Sequence, residues 1–299
     1  MNPIRGFGRA PQDPLNEAPA RLEPRDLARL SLSWSSNYTT RDLEQHLLEH
    51  PGLSWWIPSL NEYLVGGPWR HRTEIVVIQE LTARIRDEEL VEALVAECRR
   101  RALPLVVMLD QYEIRRDSFY SRIGFALLQH IIIYELPRLP RVAPQPRHLR
   151  FVPLSATNQD DLLRVDHAAF PWLWWNSAAE FAAYAALYGV EIYIGYEQDG
   201  TPAAYIGITS YRGWGHLDRI AVIPDRQGTG YGLEALNFAI ARLSEHGARR
   251  VGLSTQADNI RSQHLYETYG FRRTNGSDYT IYGRWLDNEL QVAGSQVTG

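Results

Sequence analysis

The chain is almost without cysteine. One residue, Cys98, stands in 299, so no intrachain disulfide can form. Cys98 shares a helical face with Leu90 and Leu94, which reads as a core position rather than a reactive one. The carboxy-terminal half has no cysteine, which argues against a cysteine-linked acyl intermediate there. No apolar run is long enough to cross a bilayer, and the amino-terminus lacks the charged-then-apolar pattern of a secretory leader. Positive charge is not in excess either. The formal net charge is −4, which gives no field for nucleic acid. The basic run Arg99-Arg100-Arg101 closes a helical segment and reads as a solvated face that offsets the helix dipole. Nothing in the pattern calls for a metal. The expectation is a cytoplasmic protein with no nucleic-acid or membrane partner, its oligomeric state left open. The length predicts two domains.

What is present centres on Gln227-Gly228-Thr229-Gly230-Tyr231-Gly232. An apolar strand, Leu217 to Ile223, precedes it. A helix with Leu233, Leu236, Ile240 and Leu243 on one face follows. A glycine-rich turn from a strand into a helix start is an anion cradle, because its amides point outward and the helix dipole adds to their pull. Glycines let a phosphate approach where a Cβ would block it. The stretch has no lysine, which excludes a P-loop. Its G-x-G-x-G spacing is not the dinucleotide G-x-G-x-x-G. The order Q-x-x-G-x-G between strand and helix resembles the acetyl-CoA pyrophosphate loop of the GNAT N-acetyltransferase superfamily.

A second block supports the resemblance. Arg250 to Thr255 alternates like a strand. Asn259 follows, then His264-Leu265-Tyr266-Glu267-Thr268-Tyr269-Gly270-Phe271, which is similar to the family's L-Y-E-x-x-G-F helix. The match spans about residues 148–287. It implies an α/β fold with a mixed central sheet flanked by helices, and acetyl-CoA as donor. Gln227, Gly228, Thr229, Gly230, Tyr231 and Gly232 would hold the diphosphate. Ile220, Ala221 and Val222 would pair with the pantetheine arm through their backbone, on a strand that splays from its neighbour at a bulge. Asn259 and Ser262 would contact the cofactor, and so would Tyr266, the expected general acid.

A base must take the amine's proton. His216 and Asp218 share one side of the strand by parity. Laid on the histone acetyltransferases, His216 falls at their catalytic glutamate. Asp218 is an equally good acceptor, or could pair with Arg219. The acceptor wall is expected at Phe170, Trp172, Trp174 and Trp175, joined by Tyr211 and Trp214. The same tryptophans could instead form an interface between domains.

The two halves also resemble each other. A shift of 146 residues lays Ile114-Arg115 on Ile260-Arg261, Tyr120 on Tyr266 and Gly124-Phe125 on Gly270-Phe271. It puts Leu90 and Leu94 on Leu236 and Ile240, and Val76-Val77 on Val222-Ile223. Upstream the shift is 120, with Pro51, Leu53 and Trp55 on Pro171, Leu173 and Trp175. The first half is therefore shorter, which predicts a missing strand or hairpin. This reads as two tandem GNAT-like domains. The expected layout is a flexible start (1–24), a degenerate copy (25–136), a proline-rich linker (137–147), the catalytic copy (148–287) and a flexible tail (288–299). In the degenerate copy Thr82, Arg84 and Arg86 fall at the positions of Gly228, Gly230 and Gly232. The function implied is direct acetyl transfer from acetyl-CoA to a primary amine on a small molecule or a peptide amino-terminus. The alternatives are a non-catalytic acyl-CoA sensor or a scaffold.

Overall fold

Local signals in the chain start its helices. Thr39 accepts a hydrogen bond from the Asp42 amide and Asp42 returns one, a capping box that opens α1 (Thr40–Glu49). Ser177 caps α5 (Ala178–Ala185) through the Glu180 amide. Asn259 caps α7 (Ile260–Tyr269) through the Ser262 amide. The structure, a computed structural model, describes residues 17–111, 117–140, 147–274 and 278–287. Residues 1–16, 141–146 and 288–299, on which parts of the expected flexible ends and linker fall, lie outside the described residues, as do Ile114 and Arg115.

The first half runs β1 (Ala20–Arg21), α1, β2 (Trp55–Ile57), β3 (Glu62–Trp69), β4 (Arg72–Thr82), α2 (Asp87–Arg100), β5 (Leu105–Gln111), α3 (Asp117–Arg122) and β6 (Ala126–Leu136). The second runs β7 (Arg150–Pro153), α4 (Gln159–Ala169), α5, β8 (Val190–Tyr196), β9 (Pro202–Tyr211), β10 (Trp214–Val222), α6 (Tyr231–Glu245), β11 (Arg250–Gln256), α7, β12 (Arg272–Arg273) and β13 (Tyr279–Trp285). The end of the expected flexible start is ordered. Ala20 and Arg21 pair with Trp56 and Trp55, and Leu22 is buried.

Among the described residues thirteen strands join in one mixed sheet, in the order β1-β2-β3-β4-β5-β13-β6-β11-β10-β9-β8-β7, with β12 beside β6. The order departs from the chain order at its centre. β6, from the first half, pairs antiparallel with β11 of the second. β13, from the second half, pairs antiparallel with β5 of the first. The two strands also pair with each other. Each half thus completes the other's sheet. Ile132, Tyr134 and Leu136 of β6 lie in the core under α6 and α7. Tyr282 of β13 stacks on Tyr120 of α3 at 3.5 Å between centroids. Fully burying an aliphatic side chain such as Ile132 or Leu136 stabilises the fold by about 1.5–3 kcal/mol, so the exchange ties the halves into one unit.

The repeat holds at the level of elements and is corrected in register. Phe125 donates to the Tyr120 carbonyl as Phe271 does to that of Tyr266, and Gly124 and Gly270 both have positive φ. The parallel ladder of β4 on β5 ends at Ile78 opposite Met108. That of β10 on β11 ends at Leu217 opposite Leu253. A bulge follows at once in each, at Gln79 against β3 and at Asp218 against β9. These rungs lay Ile78 on Leu217, so Val76 falls on Gly215 rather than on Val222. The length difference then lies between strand and helix, where residues 83–86 stand in the first half and 223–230 in the second. Thr82, Arg84 and Arg86 are therefore not substitutes for three glycines; the first half lacks that ribbon of chain. The expected missing strand or hairpin is also corrected. Both halves keep their strands, and residues 50–54 stand where residues 170–189, with α5, stand in the second half.

The arginine run at the end of α2 is exposed, as expected of a solvated face, and two of its side chains also reach a buried carboxylate. Arg100 and Arg101, with Arg21 from β1, converge on the buried Glu97. The Arg100 hydrogen bond, with Arg101 and Arg21, pulls the Glu97 carboxyl down to about 2. Cys98 is fully buried, and burial pushes its thiol up to about 12.

Candidate active site

β10 and β11 run side by side only from Trp214–Leu217 and Arg250–Leu253. Beyond Leu217 they part. From Arg219 to Val222, β10 keeps its rungs with β9 alone, while Ser254, Thr255 and Gln256 of β11 pair with β6. A V opens between them, and among the described residues the edge of Arg219–Val222 that faces it has no strand partner. A cleft of about 1360 Å³ occupies this V. Ile220, Ala221 and Val222 line it, with Asn237, Leu265 and Tyr266 from the α6–α7 side and Ala169, Phe170 and Trp174 from the α4–α5 side. The exchanged strand adds Gln129 and Leu136, and the chain after it adds residues 137–140. The cleft thus passes through the sheet. Leu233, expected on the buried face of α6, is 46 % exposed and lies at this cleft.

The glycine stretch stands at one end. Gly228 and Gly230 have φ of +79° and +97°, and Gly230 is the N-cap of α6 without a side-chain cap. A Cβ built on either would meet nothing within 4 Å, so these glycines face open space. Glu234 is the first residue of the helix to donate back, to the Gly230 carbonyl. The amides before it are available to an anion. Gln227 ties the loop down, with Nε2 donating to the Val222 carbonyl at 3.0 Å and Oε1 accepting from Arg261 of α7. Gly228, Gly230 and Gly232 line the cleft; the side chains of Thr229 and Tyr231 do not. Thr229 donates to the Arg226 carbonyl. Tyr231 donates to Glu197 and stacks on His148. Their contribution is confined to the backbone.

The matching helix start in the first half is filled from within. The amides of Arg84, Ile85 and Arg86 donate to the Glu62 carboxylate at 2.9, 3.0 and 2.9 Å. Glu62 is 6 % exposed, and the Arg86 side chain is engaged by Glu89 and the Glu17 carbonyl.

At the other end of the cleft Tyr266 is 4 % exposed. Burial pushes its phenol well above the ordinary tyrosine range, while the neighbouring Ser262 hydroxyl pulls the other way. Asn259 and Ser262 border the cleft. Asn259 accepts from the Ser262 amide at 3.1 Å, so its oxygen is committed to capping α7.

His216 and Asp218 are outside the cleft lining. They sit on the α5 face of β10, where the V begins, and His216 Nδ1 is 2.8 Å from Asp218 Oδ1. The pairing of Asp218 with Arg219 is not found. The Arg219 guanidinium turns to Asp166 at 2.5 Å, to the Tyr205 hydroxyl and to the Trp174 carbonyl.

The aromatic wall divides. Phe170 and Trp174 line the cleft, whereas Trp172 and Trp175 do not. Trp172 stacks on Trp285 of β13, and Trp175 stacks on His167. The segment is held by the β3–β4 hairpin of the first half. Arg72 donates to the Trp172 carbonyl and Trp69 Nε1 to that of Leu173 at 2.8 Å. Arg70 donates to Asn176 at 2.7 Å. Trp172 and Trp174 take part in an interface between halves, through Arg72 and Trp69, while Trp175 packs within the second half. Tyr211 and Trp214 sit at the β9–β10 hairpin, away from the cleft, with Arg250 over Trp214 at 4.0 Å.

Residues 154–271, which carry the glycine ribbon, the V and Tyr266, match the family described as "Acetyltransferase (GNAT) family". They form a GNAT domain. Acyl transfer is the chemistry of that family. Solved structures share the fold over most of the chain. A GCN5-related N-acetyltransferase from Sphaerobacter thermophilus is 14% identical with a TM-score of 0.55, over 89% of this chain and 95% of that one. A protein of unknown function from Enterococcus faecalis V583, described as a probable N-acyltransferase, is 11% identical with a TM-score of 0.61, over 90% and 72%. A tandem GNAT protein from the clavulanic acid biosynthesis pathway is 13% identical with a TM-score of 0.52, over 90% and 98%. No curated protein matches the sequence. Among the described residues no helix is long and apolar enough to cross a membrane.

Sequence reasoning missed four residues, three around the GNAT domain's site and one at the helix start of the first half. Tyr184 and Thr209 touch Asp218, Gln129 arrives by strand exchange, and Glu62 fills the other helix start. Only the bulge expected in β10 hinted that neighbours of Asp218 would converge.

Proposed function

We propose that the protein is an acetyl-CoA-dependent N-acetyltransferase that passes the acetyl group directly to a primary amine. The observation that carries this reading is the open ribbon at Gly228–Gly232, continuous through the cleft with the unpaired edge of β10 and with Tyr266. The donor supplies an acetyl group activated as a thioester. The ribbon amides hold its diphosphate, and Ile220, Ala221 and Val222 offer backbone groups to its amide-bearing arm. Tyr266 gives a proton to the departing sulfur. Its buried phenol stays protonated, as an acid matched to a basic thiolate must. His216 takes the proton that the amine loses as the N–C bond forms and the C–S bond breaks. Transfer is direct, because the chain's single cysteine is buried in the other half. The acceptor is a small molecule or a peptide amino-terminus, entering past Phe170 and Trp174.

The test is thiol release from acetyl-CoA with a panel of small amines and peptides. The chain contains no lysine, so release cannot come from acetylation of its own side-chain amines. Tyr266→Phe is expected to lower kcat by about 100-fold or more and to leave coenzyme A affinity, measured by calorimetry, within about threefold. Equal binding with no turnover for any amine would mean a sensor. Absence of coenzyme A binding would leave only a scaffold.

A further inference from the structure

Three strands and a helix meet where the V opens. β9 brings Thr209, β10 brings His216 and the bulged Asp218, β11 brings Gly252 and α5 brings Tyr184. Asp218 Oδ2 accepts from the Tyr184 hydroxyl at 2.5 Å and from Thr209 Oγ1 at 2.7 Å. That leaves Oδ1 facing His216 Nδ1 at 2.8 Å. A carboxylate can only accept, so Nδ1 carries a hydrogen, and in the neutral imidazole Nε2 then keeps its lone pair. The bulge is what lets one carboxylate reach all three groups, since it adds a residue to β10 between Leu217 and Arg219.

Two missing side chains seat the rings. A Cβ at Gly207 would come within 3.0 Å of the Tyr184 ring, and one at Gly252 within 3.3 Å of His216 Cδ2. The first half lacks the arrangement. By the strand registers, Val77, Gln79 and Gly67 stand where His216, Asp218 and Thr209 stand here, and α5 has no counterpart.

We infer that Tyr184 and Thr209 are positioning residues: they fix the Asp218 carboxylate, which holds His216 in the Nδ1–H form with Nε2 turned free to accept a proton. Their mechanistic use rests on the reading of His216 as the base, but the tautomer can be measured without turnover. Long-range proton–nitrogen spectra of protein labelled with ¹⁵N-histidine, at pH about 7.5, report it directly; His216→Gln assigns the signal. The wild type is expected to show Nδ1–H. Asp218→Asn and the Tyr184→Phe/Thr209→Val pair are expected to move His216 towards the ordinary Nε2–H majority, with amide spectra that remain those of a folded protein. If the pair does not fold, each single variant is expected to give a partial shift. An Nε2–H wild type overturns the inference. So does a tautomer unmoved in the folded double variant or, should that fail to fold, in both single ones.

Turnover separates this from the function itself. With an amine substrate, Tyr184→Phe should lower kcat about tenfold in the wild type and less than about twofold in His216→Ala, with KM for acetyl-CoA unchanged. Equal losses in both backgrounds would reduce Tyr184 to a structural role. Full turnover in His216→Ala would remove the base assignment while the tautomer result stood.

Discussion

Two helices in this chain begin at the same place in the same fold, and only one of their starts is open. At α6 the chain takes residues 223–230 to reach the helix, and its glycine amides look onto a cleft. At α2 it takes residues 83–86, and its amides close on Glu62. Both starts have orphan donors and the positive end of a dipole, a state that negative charge relieves. The first half uses a carboxylate from β3. The second leaves the place for a ligand. Both halves retain the V and the bulge, so strand splay does not distinguish them. The length of the turn, and the absence of an internal anion, distinguish them.

The comparison breaks most sharply at Gly230. Gly230→Glu places a carboxylate in the open start, as Glu62 does in the closed one. Coenzyme A affinity is expected to fall by more than about 100-fold, or roughly 2.7 kcal/mol. The residue would occupy φ of +97°, a strain of about 1–2 kcal/mol in a surface loop, so the protein should still unfold cooperatively. An unchanged dissociation constant by calorimetry would remove the cradle from the account. The reciprocal change is Glu62→Ala. It strands three amides that no longer have their acceptor, at a cost of about 2–3 kcal/mol, visible as a lower urea midpoint. Coenzyme A affinity should be unaltered. A stability loss below about 0.5 kcal/mol would show that the Glu62 contacts carry no weight.

Much of this was legible in sequence and some was not, for physical reasons. The ribbon could be read because its conformation demands glycine: two of its residues have positive φ. Tyr266 and Asn259 could be read from the helix they share. The strand exchange could not. β6 and β13 are both rich in apolar and aromatic residues, and either satisfies the same kind of sheet edge, so residue pattern does not say which half each completes. The repeat is visible in the sequence but its strand register is not, because strand residues such as Val76 and Val222 are interchangeable and only ladder rungs tell them apart. The aromatic segment read as a pocket wall or as an interface; four of its residues resolve into Phe170 and Trp174 at the cleft and Trp172 and Trp175 away from it. His216 and Asp218 were placed on one side by parity, which the bulge alters. The hydrogen bond between them still forms, and its supports, Tyr184 and Thr209, come from strands and helices that no local pattern connects.

The smallest effect sharpens the comparison by its absence. Arg84 was expected to sit in a phosphate path, and its two nitrogen-rich arms could have served as a cationic substitute for the ribbon. In the structure its side chain is exposed and its contribution is one backbone amide to Glu62, a bond that any residue but proline can make. Arg84→Gly should therefore leave coenzyme A affinity and turnover within about 1.5-fold of the wild type. Stability should change by no more than about 1 kcal/mol, the entropic effect of glycine in a turn. A loss of coenzyme A affinity with the amide contact intact would mean that the first half grips an anion through this side chain, and the two helix starts would then differ in means rather than in use.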